Sequence, residues 1–313
     1  MNSDSTNFEY ENLEKYFPVY FIKADDIAKK QQKKYFIVLI ANLSLLILGN
    51  LAAGLSTYFS EDYSDKLKII GVVSVFISII FTFILFFAKY RDNWYEARAL
   101  AESIKTMTWK YIAHSKPFNI YSSDVTVKFL SDINILLENH KRIEKKILKK
   151  HKKIIRDEDV ITNQMKKIQV LSLIQIKDLY LESRIKKELE WYEFKAKKNK
   201  KAKIISGLLI VIFQITSVLS ILFLNSSTDS SLNLIGFFST IAASIISWTQ
   251  AKQYHELSVS YKVTARELRS IYDQGKNIEI EKILEFIDDA EKAISREHTL
   301  WIARRINTLP PIH

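Results

Sequence analysis

The 25 residues Tyr35–Phe59, YFIVLIANLSLLILGNLAAGLSTYF, contain no charged side chain. As a helix they extend about 37 Å at about 1.5 Å per residue, which exceeds the roughly 30 Å hydrocarbon core of a bilayer. Three further windows are equally free of charge: Ile69–Ala88 (20 residues), Ile204–Leu224 (21) and Leu232–Trp248 (17). All 46 Lys+Arg and 35 Asp+Glu residues lie outside them. A mean hydropathy of −0.04 therefore averages two unlike populations. A buried core helix is the alternative for each window. Pairs of such runs across short loops favour membrane hairpins instead. The expected fold is an all-α membrane protein, with four transmembrane helices as two duplicated hairpins and long cytoplasmic helices.

Residues 1–34 hold Asp4, Glu9, Glu11, Glu14, Asp25 and Asp26 and no apolar stretch, so the first span is expected to serve as its own uncleaved signal. Basic residues set the orientation. Lys23, Lys29, Lys30, Lys33 and Lys34 precede span one, and Lys195, Lys197, Lys198, Lys200, Lys201 and Lys203 precede span three. Lys89, Arg91 and Arg98 follow span two, and Lys252 and Lys262 follow span four. The hairpin loops Ser60–Lys68 and Asn225–Ser231 hold only Lys66 and Lys68. A multi-pass protein of the cytoplasmic (inner) membrane with both termini cytoplasmic is expected.

The 313 residues carry a net charge of +11, six Gly and no Cys. Zero Cys excludes a disulfide scaffold, a thiolate metal site and a Cys nucleophile. Most of the positive charge is explained by orientation signals and one basic arm, so no specific nucleic-acid binding is expected.

A shift of 164 residues lays span one on 199–223 and span two on 233–252. It also matches Asn50 to Gln214, Ser56 to Ser220, Tyr90 to Tyr254, Arg98 to Lys262 and Ala101 to Ala265. Two parallel copies of one module explain this: 1–160 with spans 35–59 and 69–88, and 161–313 with spans 204–224 and 232–248. Residues 90–113 read as a helix, with Trp94, Arg98, Ala101, Lys105 and Trp109 at spacings of three and four. Pro117 breaks that pattern. Long helices are also expected over 124–156, 170–203 and roughly 251–305, the last interrupted near Gly275.

Polar side chains in the spans are candidates for either packing or pore lining: Asn42 and Asn50 in span one, Ser78 and Thr82 in span two, Gln214 in span three, and Thr240 and Ser247 in span four. Small and hydroxyl residues let membrane helices approach closely. Asn50 and Gln214 are sharper, because an amide in lipid is costly without a partner. No ionisable residue lies within a span, which argues against a proton relay, a coupled transporter and a voltage sensor. Residues 140–156 are strongly basic. There Lys145, Lys146, Lys149, Lys150, Lys152 and Lys153 form either a site for an anionic partner, lipid or nucleotide, or a solvated face. The six His show no metal-ligand spacing, and no phosphate-loop or dinucleotide motif exists. Neither catalytic residues nor a metal or cofactor is expected.

The run Tyr90-Arg-Asp-Asn-Trp94-Tyr-Glu-Ala-Arg98-Ala-Leu-Ala-Glu102-Ser-Ile-Lys105-Thr-Met-Thr-Trp109 resembles the exit-helix signature of one subgroup of the SLATT family. These are two-transmembrane effector domains associated with SMODS and SLOG proteins in prokaryotic conflict systems. Ala24-Asp25-Asp26-Ile-Ala28 and Gln31-Gln32-Lys33-Lys34-Tyr35 resemble the approach to the first span in the same subgroup. Tyr180-Leu-Glu-Ser-Arg184, Trp191-Tyr192-Glu-Phe-Lys195-Ala196 and Glu297-His298-Thr-Leu-Trp301 resemble a second subgroup. The second exit helix, Tyr254–Arg269, lacks a Trp matching Trp94. The resemblance implies a tandem membrane effector of an anti-phage or abortive-infection system, acting by membrane perforation. Its trigger would be a sensor or nucleotide-synthase partner.

Two readings stand side by side. One is an oligomeric pore or membrane-disrupting effector triggered through the cytoplasmic helices, working among membrane lipids as a homo-oligomer. The other is a membrane-anchored scaffold or sensor without a pore.

Overall fold

The computed structural model describes residues 13–119, 124–150, 155–224 and 234–306, and no strand occurs among them. The helices are α1 (Val19–Ser56), α2 (Glu61–Phe87), α3 (Tyr90–Ile112), α4 (Val125–Asn139), α5 (Lys141–Lys150), α6 (Asp157–Val160), α7 (Asn163–Gln169), α8 (Leu173–Tyr180), α9 (Lys187–Leu224), α10 (Ile235–Lys252), α11 (Tyr254–Asn277) and α12 (Ile283–Ile306). Between α8 and α9 the chain keeps turning as a π-turn, Leu181–Lys186. Caps mark the shorter segments. Thr162 Oγ1 accepts from the Met165 amide, and Ser172 forms a capping box with Gln175.

Three helical runs among the described residues are long and apolar enough to cross a membrane: Val19–Ser56, Glu61–Ile112 and Leu173–Ser220. Their apolar windows have mean hydropathies of 2.2, 2.9 and 2.0, and only 22%, 17% and 11% of those windows is buried. Helices this apolar and this bare have no fold of their own that hides them from solvent. The fourth uncharged window, 232–248, begins outside the described residues, and α10 carries its remainder.

The chain divides into two compact units, Met1–Gln31 with Arg91–Tyr192 and Val263–His313, and Gln32–Tyr90 with Glu193–Lys262. The first is charged and the second is apolar.

In the apolar unit, α1 and α2 meet at glycines. A Cβ on Gly49 would lie 2.9 Å from Val75 Cγ2 and 3.3 Å from the Gly71 carbonyl, and one on Gly71 would lie 3.3 Å from the Gly49 carbonyl. The two backbones thus approach closely where side chains are absent. Ser74 and Ser78 are buried in the same seam, and Asn42 Nδ2 donates to Thr82 Oγ1 at 3.3 Å. On the other pair, Ser217 and Ser239 share a 2.9 Å hydrogen bond. Helix α1 also packs on α10. The rings of Phe36 and Trp248 meet edge to face at 5.4 Å, and Lys252 Nζ lies over both.

Lys89 and Gln253 have left-handed φ values of 50° and 53°. They sit 164 residues apart, each one residue before the tyrosine that opens an exit helix. This conformation costs a non-glycine residue about 1–2 kcal/mol. Gln253→Gly is therefore expected to be neutral or up to about 1 kcal/mol stabilising, and Gln253→Val destabilising by about 1–2 kcal/mol. Thermal unfolding in detergent checks this, and equal midpoints for the two variants would refute the strain.

Candidate functional site

The charged unit is organised by an ionic cluster with a buried centre. Helix α12 shows why one member is buried. Ile283, Ile287, Ala290 and Glu291 are spaced by three and four along one face, and all four are buried. An acid therefore stands in an apolar stripe. Its carboxylate receives a bidentate pair from Arg184, with Nε to Oε1 at 2.8 Å and Nη2 to Oε2 at 3.0 Å. The Tyr180 hydroxyl donates to the same Oε1 at 3.0 Å. The side chains of Arg184 and Glu291 are 1% and 0% exposed.

The cluster extends toward α3. Arg184 Nη1 donates to Glu188 Oε1 at 2.8 Å, and that oxygen also accepts from Lys105 Nζ at 2.7 Å. Lys105 pairs with Glu14 as well. Two turns back along α3, Arg98 bonds Asp25 at 3.1 Å and Glu102 at 2.5 Å. Tyr180 and Arg184 straddle the start of the π-turn and Glu188 follows it, four residues apart each time. The wide turn and the helix after it thus carry three hydrogen-bonding side chains into one cluster. π-turns of this kind recur at functional positions.

The protonation states follow from these partners. Burial is the largest single influence on the Arg184 and Lys105 pKa values and would lower both. The surrounding acids together outweigh it, Glu291 foremost for Arg184 and Glu188 with Glu102 and Glu14 for Lys105, and hold both cations above their ordinary values. Burial would raise Glu188, yet Lys105 and Arg184 hold it below the ordinary glutamate range. Burial pushes the Tyr180 phenol well up, and Glu291 adds to it. A satellite pair repeats the logic at lower burial: Lys110 donates to Asp288 at 2.7 Å and Lys292 pairs with the same carboxylate. Burial raises Asp288 there, and the two lysines more than reverse it.

Trp109 sits against this cluster, its ring edge-on to Phe17 at 5.8 Å and to Tyr180 at 5.6 Å. Five motif residues thus come together: Arg98, Glu102, Lys105 and Trp109 from α3, and Arg184 from the π-turn. Trp94 is buried on the same helix. Trp191 is 40% exposed, whereas Tyr192 packs on Leu189, Ala265 and Leu268. Lys195 is partly exposed. His298 and Trp301 lie in α12, but their side chains fall outside the described residues.

Sequence reasoning did not find Glu14, Asp25, Glu188 or Glu291 as partners. The available signal was an acid at apolar spacing, as with Glu291 between Ile287 and Ile294. Among the described residues no group of three or more His, Asp or Glu could hold a metal.

The basic arm is α5 and the residues after it. Ile143 and Ile147 are fully buried, so its apolar face is occupied within the charged unit. Lys145 and Lys149 are exposed, and Lys146 is partly so. Lys150 ends the helix with its side chain outside the description, and Lys152 and Lys153 lie outside the described residues.

Apart from the Asn42–Thr82 pair, the polar span residues do not converge. Asn50 Nδ2 donates to the Leu46 carbonyl at 3.0 Å, and its Oδ1 lies 3.3 Å from where a Gly236 Cβ would sit. Ser78 and Thr240 bond their own helices. Ser247 and Gln214 are exposed.

Residues 18–175 match the family described as SMODS and SLOG-associating 2TM effector domain 3. Residues 180–301 match SMODS and SLOG-associating 2TM effector domain 1. Comparison with curated proteins and with solved structures finds no match.

Proposed function

Because this chain belongs to the SMODS and SLOG-associating two-transmembrane effector family, with two such domains in tandem, we propose that it is a non-enzymatic membrane effector of a prokaryotic anti-phage system. In this reading it assembles as a homo-oligomer in the inner membrane and forms a pore or disrupts the bilayer. Four spans arranged as two hairpins cross the membrane, and both termini lie in the cytoplasm. The left-handed residues Lys89 and Gln253 at matching positions support the duplicated hairpin.

One observation carries the proposal. Three runs apolar enough to span a bilayer stay at most 22% buried, so most of their apolar surface awaits lipid or other subunits. Helices α1 and α9 each include residues of both compact units. A rearrangement of the ionic cluster around Arg184 and Lys105 is the proposed gate, biased by a sensor protein or a nucleotide signal. Lys145, Lys146, Lys149 and the lysines after them supply attraction for anionic headgroups. Their apolar face is already packed, so the arm acts by charge rather than by insertion.

Dye-loaded liposomes test this. The reconstituted chain is expected to release dye once its trigger is present, with weaker binding when anionic lipid is omitted. Dye retained despite the trigger would refute perforation and leave a scaffold.

A further inference from the structure

Gln214 stands at the midpoint of the uncharged window Ile204–Leu224, ten residues from each end. Along a helix that is about 15 Å, beyond the reach of a glutamine side chain, so the amide cannot snorkel to headgroup water. It is exposed, and no hydrogen bond engages it among the described residues. Other polar groups of the spans differ. Asn42 donates to Thr82, Asn50 and Thr216 donate to carbonyls of their own helices, and Ser217 meets Ser239. An amide facing lipid forfeits its hydrogen bonds at a cost that lipid chains cannot offset.

We infer that the α9 face centred on Gln214, with Gly207, Val211 and Val218, docks against the same face of a second copy of this chain, the two Gln214 amides bonding each other within the bilayer. This rests on the oligomeric reading above and names its contact. A carboxamide both donates and accepts. An identical group at identical depth is therefore its natural complement, and a second parallel copy delivers one. Three observations favour this occupant. The run containing α9 is the barest of the three, at 11% buried. Nothing lies within 4 Å of where a Gly207 Cβ would be, so a neighbouring backbone can approach there. Val211 and Val218, 52% and 56% exposed, complete an apolar border on the same side. The opposing term is repulsion between the Lys195–Lys203 segments of two copies, which ionic screening and anionic headgroups reduce.

The chain has no cysteine, so single cysteines report proximity in the full-length protein in vesicles. Gly207→Cys and Val218→Cys are expected to cross-link into dimers on oxidation. Ile205→Cys and Ile212→Cys, exposed on the opposite side of α9, should remain monomeric. Adding Gln214→Leu to the first pair should weaken association roughly three- to thirtyfold, and Gln214→Asn should retain most of it. Equal cross-linking on both sides, or no response to Gln214→Leu, would overturn the contact. So would cysteines at 207 and 218 that react with a soluble thiol reagent but never cross-link, as in a wide water-lined ring. Photobleaching counts of the unmodified chain separate the two levels. A monomer refutes the oligomeric reading itself, whereas a multimer without these cross-links refutes only this contact.

Discussion

Glu291→Ala is expected to destabilise the charged unit by about 3–5 kcal/mol, because it strands the Arg184 guanidinium in an interior with too little counter-charge. Arg184 is 1% exposed and two of its three bonds in the cluster end on Glu291. Glu188 alone remains, and it is shared with Lys105. The Tyr180 hydroxyl loses its acceptor at the same time. A loss of this size lowers the thermal midpoint of a domain of this length by roughly 6–20 °C. Arg184→Met on its own should be severe too, as it leaves Glu291 buried and unpaired. Together the two substitutions should cost clearly less than the sum of the singles, since an apolar replacement removes both desolvation penalties. Midpoints within about 1 °C of the unmodified protein for Glu291→Ala would show that the pair carries no stability.

Lys105→Met should move acid unfolding to higher pH. Glu188 is held below its ordinary range by Lys105 and Arg184 against burial. A carboxylate depressed on folding contributes stability above its unfolded pKa and loses it as pH falls through the folded value. Without Lys105, burial and Glu102 act on Glu188 with less opposition, so its folded pKa rises and the loss begins at higher pH. The alkaline limb has the opposite sign. Lys105 is raised on folding, so its contribution is intact below its ordinary value and fades as pH rises through the folded one. The substituted protein should lack that limb's Lys105 component. Unfolding followed by circular dichroism across pH 2–6 checks this, with the satellite Asp288 pair as an acid-side background common to both proteins. Superimposable acid limbs would contradict the assignment.

Three candidate membrane-spanning runs were legible because absence of charge over 20 residues is a one-dimensional signal. The exit-helix motif was legible for a similar reason: Trp94, Arg98, Lys105 and Trp109 repeat at helical spacing. What they do was not legible. Lys105 looks like any solvated lysine until α9 places Glu188 2.7 Å away, from 83 positions along the chain. Glu291 and Asp25 are likewise ordinary surface acids on a charge count. Burial of an ion is decided by which helices pack together, and the chain's periodicity does not encode partners. The match of Asn50 with Gln214 shows the limit from the other side. The shift aligns them, yet Asn50 bonds its own helix beside Gly236, whereas Gln214 faces outward. Positions that align under the shift therefore need not share an environment. The π-turn had no signature at all in LESRIK.

The bond between Lys105 and Glu188 joins the first family match to the second, as does that between Lys110 and Asp288. Inheritance is constrained by this. A recombination that replaced one half with a distant homologue would have to import compatible acids at both places, or leave Lys105 with Glu14 alone and break the Lys110–Asp288 pair. The two halves are therefore expected to be inherited together, and substitutions at positions 105 and 188 should co-vary across lineages where those at solvent-facing lysines drift freely.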